Sequence, residues 1–184
     1  IPGHHVIGWH QPDYPALLRQ APTPPGVLFI AGDPDLLWHP QLAIVGSRRP
    51  SAAGRDHARQ FAAAFAGRGL VVTSGLAEGV DTAAHLGALA TGRTVAVVGT
   101  GPDLAYPAGN RALLDRIREC GAVVSEHPPG TRPLATHFPS RNRIIAGLAL
   151  GTLGVEAAMR AGALITARLA AEAGREVFAV PGSI

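Results

Sequence analysis

Arginine is the residue type of this chain best suited to binding an anion, because all 16 basic residues are arginine and none is lysine. Two long stretches contain arginines but no acidic residue, and together they hold Arg48, Arg49, Arg55, Arg132, Arg141 and Arg143. A guanidinium group forms paired, charge-assisted hydrogen bonds with phosphate oxygens. The two stretches therefore predict contact with phosphate; solvated surface arginines are the alternative interpretation.

Small residues follow several predicted strands at the point where each strand ends. They are Gly46 and Ser47, Ser74 and Gly75, and Gly99 and Gly101. In open α/β sheets ligands bind at this carboxyl edge, where backbone N–H groups and helix N-termini can face an anion. We therefore expect these residues to contact phosphate, with Gly46 and Ser47 presenting their N–H groups. The alternative is that the turns need small residues for their own geometry.

The segment Phe138-Pro139-Ser140-Arg141-Asn142-Arg143 combines an aromatic ring with two arginines. Proteins hold single-stranded nucleic acid by stacking a base on such a ring and pinning phosphates with arginine. A helix N-terminus with surface arginines and a buried phenylalanine explains the same residues equally well. The segment thus predicts either a DNA-binding element or the start of a helix.

Few acidic or histidine residues have the spacing of a catalytic site. Asp81 and His85 lie four residues apart on a predicted helix, either as an acid–base pair or as a helix-start aspartate near a hydrogen-bonded histidine. Glu156 follows a predicted strand and is equally well interpreted as a functional acid or as a helix cap. His127 and His137 flank a proline-rich loop, where either could touch a ligand.

Composition and missing motifs exclude several classes of protein. One cysteine rules out a disulfide framework and a cysteine-based zinc site. A P-loop needs a lysine, and Leu104 stands where a dinucleotide fingerprint would have its third glycine. No apolar run reaches the ~20 residues of a membrane span, and no signal-peptide pattern opens the chain. We therefore expect a cytoplasmic protein without cofactor, metal or membrane contact.

The elements that position these residues alternate between strands and helices. Runs of β-branched residues predict strands at 27–30, 42–45, 70–73, 94–98, 122–124, 150–155 and 176–180. Apolar residues at helical spacing predict helices at 52–67, 80–89, 111–119, 143–148 and 163–173. Uniformly apolar strands alternating with helices indicate a parallel sheet covered on both faces. We predict a doubly wound α/β domain at 26–184, preceded by a lead-in segment at 1–25 with one amphipathic stretch at 14–19.

Several motifs occur in a fixed order along the chain. They are Ile44-Val45-Gly46-Ser47-Arg48, Ser74-Gly75-Leu76-Ala77-Glu78-Gly79-Val80-Asp81, Gly99-Thr100-Gly101 with Tyr106-Pro107, Ser125-Glu126, the segment from Phe138 to Gly147, Val155-Glu156-Ala157, Leu164-Ile165-Thr166-Ala167 and Val180-Pro181-Gly182. Each motif alone is weak, but their order and spacing are specific. Over nearly the whole chain they resemble the DNA-processing protein A (DprA/Smf) family.

This resemblance implies an extended Rossmann-like domain that belongs to a longer protein. Family members bind and protect single-stranded DNA, help to load the RecA recombinase during natural transformation, and form homodimers through this domain, all without catalysis. The resemblance implies a DNA pocket built from Arg48, Phe138, Arg141, Asn142 and Arg143. The family's pocket often includes a lysine, and Arg132 is the nearest candidate to supply that charge here.

Two other classes of function stay open at this point. A nucleotide hydrolase of the phosphoribohydrolase type would use Glu156 as its acid and Arg48 or Arg143 as its phosphate clamp, although the Pro-Gly-Gly-x-Gly-Thr loop of that family is missing. A protein-interaction module would use apolar helix faces to meet RecA or a second copy of the chain. The interaction module is compatible with DNA binding.

Overall fold

Alternating buried strands and helices build the chain in a computed structural model, which describes residues 3–157 and 162–181. The strands in this part are β1 (His4–Gly8), β2 (Val27–Gly32), β3 (Gln41–Gly46), β4 (Val71–Ser74), β5 (Thr94–Val97), β6 (Ala122–Ser125), β7 (Gly151–Val155) and β8 (Glu176–Ala179). The α-helices are α1 (Ala16–Arg19), α2 (Ala52–Ala66), α3 (Val80–Thr91), α4 (Arg111–Cys120), α5 (His137–Leu148) and α6 (Gly162–Glu172). Two short 3-10 helices lie at Pro34–Trp38 and Ala108–Asn110.

The strands form one sheet in the order β1-β2-β6-β5-β4-β3-β7-β8. The six strands β6, β5, β4, β3, β7 and β8 are neighbours in this order, and each pair of neighbours is parallel. Strand β2 runs antiparallel to both β1 and β6. From β3 the chain winds outward through β4, β5 and β6, and it then returns to the other side of β3 as β7. The predicted doubly wound, mostly parallel, Rossmann-like sheet is confirmed, and its switch point lies between β3 and β7.

Helices cover both faces of the sheet, which explains the uniformly apolar strands. On one face α2 and α3 pack over Ile44 and Val72, and α4 packs over Ala96. On the opposite face α1 and α5 pack over Val45 and Val71. Neighbouring residues of a strand thus enter different core layers, as the alternation of side chains along a strand requires. No helix among the described residues is long and apolar enough to cross a membrane.

Two elements differ from the sequence-based expectation. The lead-in segment contributes β1, which pairs with β2 in the register His4↔Ala31. Its two histidines and single buried residue, Ile7, give no strand pattern. Helix α5 begins at His137, six residues before the predicted start. Pro139 lies in the first turn of α5, where a helix tolerates proline because the N–H groups there have no acceptor within the helix.

Candidate nucleic-acid interface

A cavity of about 480 Å³ opens at the carboxyl end of β3, beside the switch point of the sheet. Its walls come from the β3–α2 turn, from the β4–α3 turn and the start of α3, from α5 and from the start of α6. They include Gly46, Ser47, Arg48, Arg49, Asp81, Phe138, Arg141, Asn142 and Thr166. A second cavity, of about 180 Å³, shares Arg48, Ala77, Phe138 and Arg141 with the first. The position agrees with the general rule for ligand sites in open α/β sheets.

Arg48 and Arg49 lie in the turn between β3 and α2, and both side chains are exposed at the larger cavity. Within residues 3–157 and 162–181, neither guanidinium group has an ion pair or a hydrogen bond. The turn itself is fixed, because the Arg49 N–H donates to Ser47 Oγ (3.0 Å) and the Val80 N–H donates to the Ser47 carbonyl (3.1 Å). Two cations are therefore held at the rim with their charges free for an anion.

Gly79 allows α3 to approach this turn. Its φ of 82° lies in the left-handed region, and a Cβ atom there would stand 2.4 Å from the Ser47 carbonyl oxygen. Gly46 is required for a similar reason, because a Cβ would stand 2.0 Å from the Val155 carbonyl oxygen. These glycines serve backbone packing between neighbouring elements.

The expectation that Ser47 offers its N–H group to a phosphate is wrong. That N–H donates to the Val155 carbonyl (3.2 Å) and extends the ladder between β3 and β7. Gly46 is itself paired with Val155 in this ladder. Both residues still line the cavity, where they shape its floor.

Ser74 and Gly75 are also engaged within the protein. The buried Ser74 hydroxyl donates to the Ile44 carbonyl (2.7 Å). The N–H groups of Gly75 and Ala77 donate to Asp81 Oδ2, at 3.1 and 3.3 Å. Burial raises the pKa of Asp81, against the charge of Arg141 and these hydrogen bonds. Of the two interpretations of Asp81, the structure therefore supports the helix-start aspartate. Its carboxylate accepts hydrogen bonds from the turn before α3.

His85 is a core histidine and not the partner of Asp81. Its Nδ1 lies 2.7 Å from Thr94 Oγ1, and the Thr94 hydroxyl donates to the Val72 carbonyl (2.6 Å). The Nδ1 atom must therefore carry the proton. Burial, and secondarily the charge of Arg141, lower the pKa of His85 to about 3. The hydrogen-bonded histidine is thus confirmed over the acid–base pair.

Phe138 lies half-buried between the two cavities and packs on an aromatic neighbour. Its ring centroid is 5.0 Å from that of Tyr106, whose side chain is 49% exposed. Gly99 makes room for the ring, because a Cβ there would stand 3.2 Å from Phe138 Cδ1. Tyr106 is a residue that the sequence-based site missed, although the Tyr-Pro pair after Gly99-Thr100-Gly101 signals it.

Arg141 is buried, with 6% of its surface exposed, and it lines both cavities. Its Nη1 donates to the carbonyls of Gly75 (2.5 Å) and Val97, at the ends of β4 and β5. Burial lowers the pKa of Arg141 to about 10, so the side chain stays charged at neutral pH. The structure places Arg141 at both cavities, where Nη1 is bonded within the protein and the buried Nε has no hydrogen-bond partner among the described residues.

Asn142 and Arg143 leave α5 in other directions. Asn142 lines the larger cavity and donates from Nδ2 to the carbonyl of Gly162 (3.3 Å), the first residue of α6. Arg143 lines neither cavity, and it binds both carboxylate oxygens of Glu126, at 2.9 and 2.6 Å. Burial opposes ionisation of Glu126, but the hydrogen bonds and charge of Arg143 outweigh it and keep the pKa of Glu126 below its ordinary value.

Two further predicted residues lie outside the cavities. The Gly101 N–H donates to the Thr131 carbonyl (2.9 Å) and fixes the loop after β6. Arg132 is exposed on that loop and lines neither cavity. On the same side of the site, the rings of His127 and His137 stack with centroids 3.9 Å apart, and His137 Nδ1 bonds to the Gly99 carbonyl (3.0 Å). The histidine pair thus joins the loop to the start of α5.

Glu156 caps α2. Its Oε2 accepts from the Ser51 N–H (2.7 Å), and its Oε1 accepts from the Ser51 hydroxyl. Gly54 is needed here, because a Cβ would stand 2.4 Å from the Glu156 carboxyl carbon. The bonds from Ser51 lower the pKa of Glu156. The capping interpretation of Glu156 is confirmed. The carboxylate that a hydrolase would use as its acid is therefore already bonded to Ser51.

Known proteins are similar to this chain in sequence and fold. A family model described as DNA recombination-mediator protein A matches residues 5–184. The chain is 49% identical over 172 residues to DNA processing protein DprA of Streptococcus pneumoniae, covering 93% of the chain and 61% of the relative. It is 46% identical over 185 residues to Protein Smf of Escherichia coli, covering 100% of the chain and 50% of the relative. The chain thus spans about half to three-fifths of these relatives.

Solved structures agree with this match. The crystal structure of the S. pneumoniae DprA superposes with a TM-score of 0.94 at 46% identity, over 100% of this chain and 65% of that one. DNA processing protein A from Helicobacter pylori, described by its single-stranded DNA binding mode, superposes with a TM-score of 0.90 at 28% identity, over 98% and 82% of the chains. Sequence, fold and motif order agree, and the chain belongs to the DNA recombination-mediator protein A (DprA/Smf) family.

Proposed function

We propose that this chain binds single-stranded DNA in the paired cavities at the carboxyl edge of its sheet. Arg48 and Arg49 bind phosphates, and Phe138 with Tyr106 stacks on a base. One observation carries the proposal: two arginines with no hydrogen-bond or ion-pair partner among the described residues stand beside an aromatic pair at the mouth of a cavity. The single-stranded DNA binding named for the H. pylori relative supports it.

The chemistry of the site favours single strands over duplex. A base can stack on Phe138 only if it is unpaired, and such stacking contributes about 1–3 kcal/mol per base. The other contacts go to the phosphates, which carry no sequence information, so we expect little sequence preference. A stiff duplex presents neither a free base face nor a backbone that can bend into a cavity of this size.

In the longer protein, we infer a mediator of recombination that works without catalysis. It would protect incoming single strands in natural transformation and help to load RecA, as a homodimer whose two pockets hold one strand. The family description supports the mediator role. Two linked pockets raise affinity without new contacts, because the second binding event becomes intramolecular.

Fluorescence anisotropy of a labelled oligothymidine, measured at several salt concentrations, tests the proposal. Single strands should bind and a duplex of equal length should bind poorly. Arg48→Ala should weaken binding and reduce the log–log salt slope by about 0.7, the value for one phosphate contact on a single strand.

Arg116→Ala is the matched control, because Arg116 is exposed on α4 and lines neither cavity. It should leave both the affinity and the slope unchanged. Equal losses in Arg48→Ala and Arg116→Ala would reject the site, and a folded protein that binds no single strand would reject the function.

A further inference from the structure

Three consecutive residues of α5 contact three different parts of the fold. Successive residues of an α-helix point about 100° apart, so Arg141, Asn142 and Arg143 leave the helix in different directions. Arg141 reaches the ends of β4 and β5, Asn142 reaches the first residue of α6, and Arg143 reaches Glu126 just after β6. Each contact joins α5 to an element that ends or begins at the carboxyl edge of the sheet.

We propose that Arg141, Asn142 and Arg143 act together as a positioning brace that holds the aromatic start of α5 at the DNA site, and that Arg143 binds Glu126 and not phosphate. This inference rests on the proposed DNA-binding function and assigns its residues different tasks. Arg48 and Arg49 bind the ligand, whereas the brace sets the place of Phe138.

The first turn of α5 needs such a brace. Residues 144–148 are buried in the core, but residues 137–140 are half-buried or exposed. The N-cap residue, Thr136, makes no capping hydrogen bond with its side chain. Phe138 lies one turn before Arg141, on the same side of the helix. The polar contacts of residues 141–143 therefore hold the Phe138 ring from its C-terminal side, while the bond from His137 to the Gly99 carbonyl holds it from its N-terminal side.

Arg143 is a poor phosphate ligand for an electrostatic reason. Both oxygens of Glu126 accept from it, and the two side chains are only 22% and 19% exposed. A phosphate that captured Arg143 would leave a half-buried carboxylate unpaired beside a second anion. Breaking a buried pair is strongly unfavourable, because the remaining charge loses its compensation.

Glu126→Gln separates the two roles, because it removes a negative charge close to the DNA site. If Arg143 binds phosphate, the variant frees this arginine and should bind oligothymidine as well as the parent or more tightly. The brace predicts the opposite, since the loss of a charged hydrogen bond should weaken binding by roughly tenfold. Asp115→Asn is the control, because it removes the same charge from an exposed pair with Arg111 on α4 and should leave affinity unchanged.

A charge exchange completes the test. Arg143→Met should bind more weakly with an unchanged salt slope, and the double variant Glu126→Arg with Arg143→Glu should recover most of the lost affinity. A slope reduced by about 0.7 in Arg143→Met, together with failure of the exchange, would make Arg143 a phosphate ligand and overturn the brace.

Hydrogen exchange at the amides of residues 141–143, whose helical acceptors are the carbonyls of residues 137–139, measures the brace without DNA. Exchange should be faster in Glu126→Gln and unchanged in Asp115→Asn. Unaltered exchange in Glu126→Gln would overturn the brace even if DNA binding is confirmed. If the parent binds no DNA, the proposed function fails. Faster exchange in Glu126→Gln would still establish that the brace positions the start of α5.

Discussion

At the scale of single residues, the partner of each arginine decides its task. Arg48 and Arg141 stand at the same cavity, yet the first has no described acceptor and the second donates to two backbone carbonyls. A buried charge is tolerated only with compensating hydrogen bonds, so the burial of Arg141 depends on the carbonyls of Gly75 and Val97. An exposed arginine has no such requirement and keeps its charge for a ligand.

Gly75 is the residue that makes the position of Arg141 possible. A Cβ at Gly75 would stand 2.5 Å from Arg141 Nη1, so Gly75→Ala must displace the guanidinium from its carbonyl acceptors. We expect a loss of about 1–3 kcal/mol in the free energy of unfolding, the usual range for overpacking, together with weaker binding of oligothymidine. Urea denaturation and anisotropy measure the two effects.

Gly109→Ala is the control for this substitution. Gly109 has open space where its Cβ would stand and does not have a positive φ. We expect the control to match the parent in both measurements. Equal stability of Gly75→Ala and Gly109→Ala would contradict the packing of Arg141 against Gly75.

At the scale of elements, the N-terminus of α2 supports the turn that carries Arg48 and Arg49. Glu156 accepts two bonds from Ser51, the N-cap residue, and so connects the end of β7 to the start of α2. The pKa of Glu156 is lowered by these bonds, so its ionised form stabilises the folded state. That contribution is complete above the ordinary glutamate pKa and is lost as pH falls through the lower, folded-state value.

Glu156→Gln should therefore be less stable than the parent at neutral pH, and the difference should shrink as the solution is acidified. Urea denaturation at neutral and at acidic pH measures this change. Glu119→Gln is the control, because Glu119 is exposed on α4 and should show no such pH-dependent difference. A constant difference between Glu156→Gln and the parent at all pH values would show that the cap acts without its charge.

The sequence predicts an element well where all of its side chains are buried. It predicts an element poorly where some side chains pack in the core and others form polar contacts or face solvent. The apolar runs of β4, β5 and β6 identify these strands because both of their faces are buried. Helix α5 is predicted six residues too late because Pro139 and two arginines conceal its first turns. The roles of Arg141 and Arg143 are not predictable in the same way, since their acceptors lie far away in the sequence, at Gly75 and Glu126.

At the scale of the whole molecule, the doubly wound topology gathers the site at one edge. Residues from the β3–α2 turn, the β4–α3 turn and α5 are distant in sequence but meet where the direction of winding changes between β3 and β7. The net charge of +3 is the small excess of arginines over acidic residues, and several of the arginines are paired with acids. The field at the site therefore depends on the few arginines that stay unpaired there, and total charge is a poor guide to it.

The salt dependence of binding measures how many arginines contact DNA. If Arg48 and Arg49 are the phosphate ligands of one pocket, the log–log salt slope should be about −1.4 per pocket, twice the value for one contact on a single strand. The double variant Arg48→Ala with Arg49→Ala should then bind weakly, with almost no dependence on salt. A parental slope of about −2.1 or steeper per pocket, with about −0.7 or more remaining in the double variant, would mean that Arg132, Arg141 or Arg143 also contacts phosphate. The slope thus decides whether the cavity rim alone, or the whole carboxyl edge, forms the interface.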